Sequence, residues 1–337
     1  MRTPAFLAIC LAVAAAVFGI ALGFGNDYVF FAGYVVLQYV VLSTAWNILG
    51  GYCGYVNFGT AAFFALGAYS TVAIYKYSAD NDVWALPIPV LMMIGGIVSG
   101  IVGFGMGYLT LRLRGAFFSI ATLALAVVLE TLVVNWDYVG GSRGAYVIRP
   151  EEIDPIGNYI RYLFLIMLLL AVAAITVARL IEHSRLGYGF ATIRDDELAA
   201  EASGVPTLRL KLIATTISGV LMGMAGAPFP YYISYLQPDS TFGLDYAVNS
   251  IAMPLVGGTT SWVGPLIGAI LLGSLQQIAT VTISSAVNLL IVGLLLVGFV
   301  IVAPAGIIGL VHRYWQRKPE DFVGRRRIDA AAPGSAP

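Results

Sequence analysis

Residues 184–205 read SRLGYGFATIRDDELAAEASGV, a polar stretch set between two apolar runs, 159–181 and 209–230. Arg or Asp at the centre of a membrane helix costs about 2.5–3.5 kcal/mol per residue. With Arg185, Arg194, Asp195, Asp196, Glu197 and Glu201, this stretch stays in water while its neighbours do not. Asp195 and Asp196 are placed to cap and charge-stabilise a short helix running through Ala202, and Gly204 with Pro206 to end it. Leu198, Ala199 and Ala202 then form a narrow apolar stripe flanked by Arg194, Glu197 and Glu201, which suits a shallow cleft on a protein partner. A solvated amphipathic connector between two spans has the same pattern.

Outward from this loop the chain is apolar. Hydrophobic residues make up 59% of 337 and charged residues 11%, with a mean hydropathy of +0.86. Lys, Arg, Asp and Glu supply about 25% of a soluble globular chain, so the solvent for most of this one is lipid. Crossing about 30 Å of hydrocarbon takes roughly 20 apolar residues, and only a helix or a closed barrel satisfies the backbone there. Ten runs qualify as helices: 5–24, 29–49, 55–75, 86–110, 116–135, 159–181, 209–230, 245–260, 263–282 and 286–309. The eighth is short, and Gly257, Gly258, Gly264 and Pro265 make it and the ninth either a tight hairpin or one broken helix. The expected fold is an all-α polytopic transmembrane bundle of about ten spans. Residues 1–315 form one membrane domain containing the polar loop 182–208; residues 316–337, basic and then rich in Ala, Pro and Gly, form a flexible tail.

Lys and Arg mark the cytoplasmic loops. Arg112 and Arg114 follow the fourth run; Arg179, Arg185, Arg194, Arg209 and Lys211 surround the 182–208 loop; Arg313, Arg317, Lys318 and Arg325 to Arg327 follow the last. Ten crossings place all three clusters and both termini inside. Arg2 and the first run are also the ingredients of a cleaved signal peptide. Zero net charge gives no basis for a nucleic-acid partner. Cys10 and Cys53 are far apart and without metal-ligand spacing, and neither His183 nor His312 has an acid or nucleophile at motif spacing. No catalytic or metal site is expected, nor any bound cofactor. None of the three lysines ends a Walker A pattern, so ATP, if used, is hydrolysed by another polypeptide.

Glycines four apart, at Gly96, Gly100, Gly103 and Gly107, Gly219 and Gly223, and Gly264 and Gly268, are expected to let helices approach closely in lipid. Glu130 lies within the fifth run, and an intramembrane carboxylate is either functional or paired for structure. Asn47 and Asn57 bracket a glycine-rich segment whose backbone is expected to be irregular. Such breaks are tolerated where they are buried or line a cavity, so these amides either meet substrate or join helices.

Residues 184–205 resemble the coupling-helix loop of ABC importer permeases, and more closely its form in the Liv-type branched-chain amino acid permeases. Further matches follow in order: Trp46 to Gly54, Phe58-Gly59 through Ala61, Ala62 and Phe63, Gly67 to Tyr69, Leu113 to Gly115, Asn135-Trp136 with Gly140 to Gly144, Gly223 to Gly226, and Gly257-Gly258 with Trp262 to Pro265. The resemblance covers nearly all of the chain up to about Gly309.

The resemblance implies a bacterial inner-membrane subunit that pairs with a second, homologous permease and receives substrate from a periplasmic binding protein. It also implies that Arg194, Asp195, Asp196, Glu197, Ala199, Ala200, Glu201 and Gly204 dock two ATP-binding subunits. The expected function is ATP-driven import of branched-chain or related hydrophobic amino acids; import of urea, short amides or aromatic acids uses the same machinery. Two departures bear on the cargo. Thr60 stands where the family commonly has histidine, and Glu130 lies one turn beyond Val127, where the family commonly has glutamate. Asn47, Asn57, Thr60 and Glu130 are the candidate pathway residues. A stand-alone secondary transporter is expected instead to carry coupling carboxylates in several spans, and a membrane enzyme a polar cluster at the membrane face.

Overall fold

A computed structural model describes residues 3–82, 84–110, 112–149, 152–153, 157–282, 293–294, 297–298 and 306–310. The first six helices are α1 (Thr3–Gly23), α2 (Asp27–Gly50), α3 (Thr60–Asp80), α4 (Ile88–Thr110), α5 (Ala116–Val134) and α6 (Tyr159–Glu182). Two short helices follow, α7 (Arg185–Asp195) and α8 (Glu197–Ala202), and then α9 (Thr207–Gly226), α10 (Phe229–Ile233), α11 (Pro238–Thr241), α12 (Leu244–Gly257) and α13 (Val263–Thr282). Among the described residues seven helices are long and apolar enough to cross a membrane: α1, α2, α4, α5, α6, α9 continued through α10, and α13. α3 has the length but carries Lys76 and Asp80 with three tyrosines. At 1.5 Å per residue the 14 residues of α12 reach about 21 Å, short of the hydrocarbon thickness.

Side-chain caps set several starts. Asn26 Oδ1 accepts from Tyr28 N, Asn158 Oδ1 from Ile160 N, and Ser184 Oγ from Leu186 N and Gly187 N. The long helices alternate in direction. Phe6 in α1 packs on Trp262 and under the Arg179 guanidinium at the end of α6, and Arg114 reaches α8. The start of α1, the α4–α5 connection, the end of α6 and the α12–α13 connection therefore share one face, called here the loop face. Gly306 lies against Gly257 and Gly258, on that same face. Of the run 286–309 only 293–294, 297–298 and 306–309 are among the described residues, and the last basic cluster and the tail lie outside them.

α9 packs on α4 and α3, α2 on α6, and α12 on α13. The small-residue spacing explains how. A Cβ on Gly223 would stand 2.3 Å from Ser99 Oγ and 2.5 Å from the Gly95 carbonyl oxygen, and one on Gly264 would stand 1.7 Å from the Gly258 carbonyl oxygen. Only glycine allows these backbones to touch, which stands in for hydrophobic driving force in lipid. Residues 244–282 are thus a tight hairpin of two helices.

Three boundaries differ from the sequence reading. The third helix begins at Thr60 rather than 55, because residues 51–59 form an irregular turn on the loop face, with Gly54 at φ +78°. The stretch before α8, read as loop, is the separate helix α7, capped by Ser184. Asp195 accordingly ends α7 instead of starting α8, and Asp196 alone caps α8, its Oδ1 accepting from Leu198 N at 2.9 Å and Ala199 N at 3.1 Å. The seventh run breaks after Gly226, and α10, the extended pair Tyr235–Leu236 and α11 lead to α12. On the face opposite the loop face, Ala145–Tyr146 pairs antiparallel with Tyr235–Leu236.

Candidate functional site

α8 has two unlike faces. At 100° per residue Glu197 and Glu201 lie together, with Ala200 beside them, while Leu198, Ala199 and Ala202 occupy the other side. The acidic side faces the bundle. Lys211 Nζ, on a side chain only 3% exposed in α9, donates to Glu197 Oε1 at 2.7 Å and to Tyr55 Oη at 3.2 Å. The Tyr55 hydroxyl donates to the other Glu197 oxygen, and Lys211 Nζ lies 4.6 Å from the centre of the Tyr55 ring. Arg114 Nη2 donates to Glu201 Oε2 at 3.0 Å with its Nε 3.7 Å from Glu197, and Thr207 Oγ1 donates to Glu201 Oε1 at 2.8 Å. The apolar side faces out, with Leu198 63% exposed.

Burial alone would raise the Glu197 pKa. The hydrogen bonds from Lys211 and Tyr55 and the charges of Lys211 and Arg114 outweigh it and hold the carboxyl below its ordinary value. Burial, and then the bond to Glu197 and its charge, push the Tyr55 phenol up, so it remains a donor. α8 is thereby fastened to the 51–59 turn, to the α4–α5 connection and to α9. Arg194 and Asp195 pair with each other at 3.5 Å on the surface, and Gly204, at φ +81°, ends the segment in a conformation that favours glycine.

Glu182 makes a second polar junction. At the end of α6 its Oε2 accepts from Trp262 N at 2.7 Å and from Tyr52 Oη at 3.2 Å, joining the 51–59 turn to the α12–α13 connection.

Two cavities lie end to end along α5. One, of about 380 Å³, opens beside α7 and α8 and is lined by Tyr55, Val56, Ala116, Ser119, Arg194 and Glu197. The other, of about 310 Å³, lies in the farther half and is lined by Phe58, Leu123, Ala126, Glu130, Asp239 and Phe242, among others. Glu130 therefore borders a cavity. Asn57 and Thr60 are each 1% exposed beside its inner end. Neither the Asn57 amide nitrogen nor the Thr60 hydroxyl has a protein hydrogen-bond partner among the described residues. Asn47 is buried in α2 and lines neither cavity. A larger apolar cleft of about 830 Å³ between α1, α2, α6 and α13 has no charged lining residue.

Tyr55, Lys211, Arg114 and Glu182 were not singled out from sequence. Lys211 registers there only as a charge that orients a loop, and Arg114 as such a charge and within the Leu113 to Gly115 match. A lysine two residues inside an apolar run was the available signal, since a buried ammonium needs an acid.

A family model described as branched-chain amino acid transport system / permease component matches residues 28–300. The high-affinity branched-chain amino acid transport system permease protein LivM of Salmonella typhimurium is 27% identical over 263 residues, 71% of this chain and 60% of the relative. This chain thus spans about three-fifths of that relative's length. The probable branched-chain amino acid transport permease protein LivH of Methanocaldococcus jannaschii is 23% identical over 75% of this chain and 83% of its own. The ribose import permease protein RbsC of Escherichia coli K12 is 33% identical over 104 residues, 29% of this chain. No solved structure matches. A match over residues 28–300 takes in every long helix but α1 together with the α7–α8 loop, and on that extent the chain belongs to the branched-chain amino acid transport system permease family.

Proposed function

We propose that this chain is a membrane-spanning permease subunit of an ATP-driven importer for branched-chain or related small hydrophobic amino acids. The observation that carries the reading is α8: an outward apolar face on a helix fastened from behind to three parts of the bundle. A six-residue helix is too short to persist alone. Held by Arg114, Lys211 and Tyr55, it is a rigid knob that fits a cleft on an ATP-binding subunit, and a push on it moves the bundle. The loop face is then cytoplasmic, as the Lys and Arg placement requires, and the membrane is the bacterial inner membrane. A second, homologous permease completes the pathway, two ATP-binding subunits supply the work, and an external binding protein delivers substrate to the opposite face. This chain hydrolyses nothing and binds no cofactor.

Glu130 is the pathway carboxylate, with Asn57 and Thr60 at the inner end of its cavity. Apolar walls from Leu123, Ala126 and Phe242 suit an aliphatic side chain, and Glu130 with Asp239 suits an ammonium group. The single mid-span acid argues against ion-coupled transport without ATP. The test is reconstitution of the chain with the permease, ATPases and binding protein encoded beside it. Leucine uptake that needs all of them and ATP is expected; uptake by this chain alone, driven by an ion gradient, would refute the reading.

A further inference from the structure

We infer that residues 56–59 are a closed gate across the translocation path, separating the two cavities on α5, and that Tyr55 is the positioning residue through which α8 operates it. The use of ATP in this inference rests on the importer reading; the gate itself does not. Ala116 and Ser119 line the loop-face cavity, and Leu123, Ala126 and Glu130 line the far one, at spacings of three and four that put them on one face of α5. From Ser119 to Leu123 is about 6 Å along the helix. Over that interval the chain segment 56–59 is latched to α5 by two hydroxyls. Ser119 Oγ donates to the Val56 carbonyl at 2.8 Å, and Phe58 N donates to Thr122 Oγ1 at 3.1 Å. Val56 faces one cavity and Phe58 the other. The buried Asn57 amide nitrogen and Thr60 hydroxyl are the polar groups a substrate meets when this partition opens.

The latch is attached to α8 by one peptide unit. Tyr55 precedes Val56, its hydroxyl is held by Glu197 and Lys211, and its ring packs edge-on against Phe118 of α5 at 5.1 Å. Before it, Gly54 bends the chain at φ +78°, where a Cβ would stand 3.1 Å from Arg194 Cγ. A shift of α8 relative to α5 therefore pulls on the residue next to the latch. A two-state gate requires that Val56 and Phe58 exchange these contacts for others when it opens.

The test uses the assembled complex in proteoliposomes, with Cys10→Ala and Cys53→Ala as background and a membrane-impermeant thiosulfonate as probe. Ala116→Cys is expected to react only from the loop face and Leu123→Cys only from the opposite face. Adding Ser119→Ala with Thr122→Val removes both latches and is expected to raise wrong-side modification by up to about thirty-fold, the ratio for two neutral hydrogen bonds. Thr122→Ser, which keeps one hydroxyl, is expected to restore sidedness in part. Equal two-sided reactivity in the parent, or unchanged sidedness without both hydroxyls, overturns the gate. If the double variant does not assemble, bridging Val56→Cys to Ser119→Cys with a short bifunctional thiosulfonate decides: reversible loss of leucine flux is expected, and full flux through the bridged protein overturns the gate. In the second arm ATP is expected to change Leu123→Cys reactivity, and Tyr55→Phe to abolish that change while ATP hydrolysis continues. A full response in Tyr55→Phe overturns the role of Tyr55. Sidedness that responds to the latches but never to ATP refutes the importer reading and leaves the gate standing.

Discussion

Replacing Lys211 with methionine isolates the energetics of the α8 attachment. Methionine keeps the unbranched stem and volume, so packing in α9 changes little, and what is lost is the ammonium. Lys211 and Glu197 have side chains 3% and 13% exposed, so neither charge is well screened by water. Removing one partner of a buried pair costs about 3–5 kcal/mol, mostly as the penalty of the charge left behind. Here Arg114 remains 3.7 Å from Glu197, but its side chain is half exposed and compensates weakly. The expected loss is about 2–4 kcal/mol, or roughly 4–10 °C in the apparent melting temperature of the detergent-solubilised protein. Lys211→Met with Glu197→Leu removes both charges and leaves the Tyr55 hydroxyl short of a partner among the described residues, about 1 kcal/mol. The double variant should therefore be more stable than the single. A single variant that melts within 1 °C of the parent, or a double variant less stable than Lys211→Met, refutes the claim that this pair is a buried, mutually dependent attachment.

Acidification tests the same junction through Glu197, whose pKa in the folded protein lies below the ordinary carboxylate value. Its contribution is complete above that ordinary value, about 4.3, and is lost as pH falls through the lower folded value, so the stability gap between the parent and Glu197→Gln should hold at pH 6 and close toward pH 3; a gap that widens on acidification contradicts this. Leu198→Asp changes an exposed position and should leave melting within about 0.5 kcal/mol while the ATP-binding subunits no longer co-purify; normal co-purification would show that the outer face of α8 is not the docking surface. Glu130→Ala should lower leucine flux more than assembled complex, and the reverse order would make Glu130 structural. Gly223→Val drives side-chain atoms into Ser99 and the Gly95 carbonyl and should cost about 3 kcal/mol or prevent assembly. Gly105→Ala, with open space around it in the same bundle, should be neutral or stabilising by a few tenths of a kcal/mol.

Much of the bundle is legible in the sequence because lipid imposes one requirement on every span: a long apolar helix. Runs such as 116–135 and 159–181 reappear within a few residues as α5 and α6. The misplaced boundaries share a cause. Tyr55, Val56 and Phe58 are apolar enough to join the helix after them, so hydropathy does not place the boundary with α3; the glycines and Asn57 mark irregular backbone but not where it ends. The eighth run, 245–260, reads as a short span because it is mostly apolar, yet α12 ends at Gly257, where Gly258 turns the chain at φ +117°. Glu130 stands out as a lone acid in a span. The neighbours that define its cavity do not, since Asp239 and Phe242 lie more than a hundred residues away and only the fold brings them to α5.

The polar loop shows the limit most clearly. Its residues give a helix with acids on one side and Leu198, Ala199 and Ala202 on the other, and from the pattern alone the acids read as the flanks of a partner-binding stripe. Which side faces the bundle depends on Arg114, 83 residues upstream of Glu197, and on Lys211, 14 residues downstream, neither in the same helix as it. Their positions turn the acids inward. The same two glutamates bond to the bundle: Glu197 holds the residue beside the 56–59 segment, and Glu201 holds the α4–α5 connection from which α5 starts. A force applied to Leu198 thus reaches both sides of the partition between the cavities, through bonds of 2.7–3.2 Å and a single peptide unit.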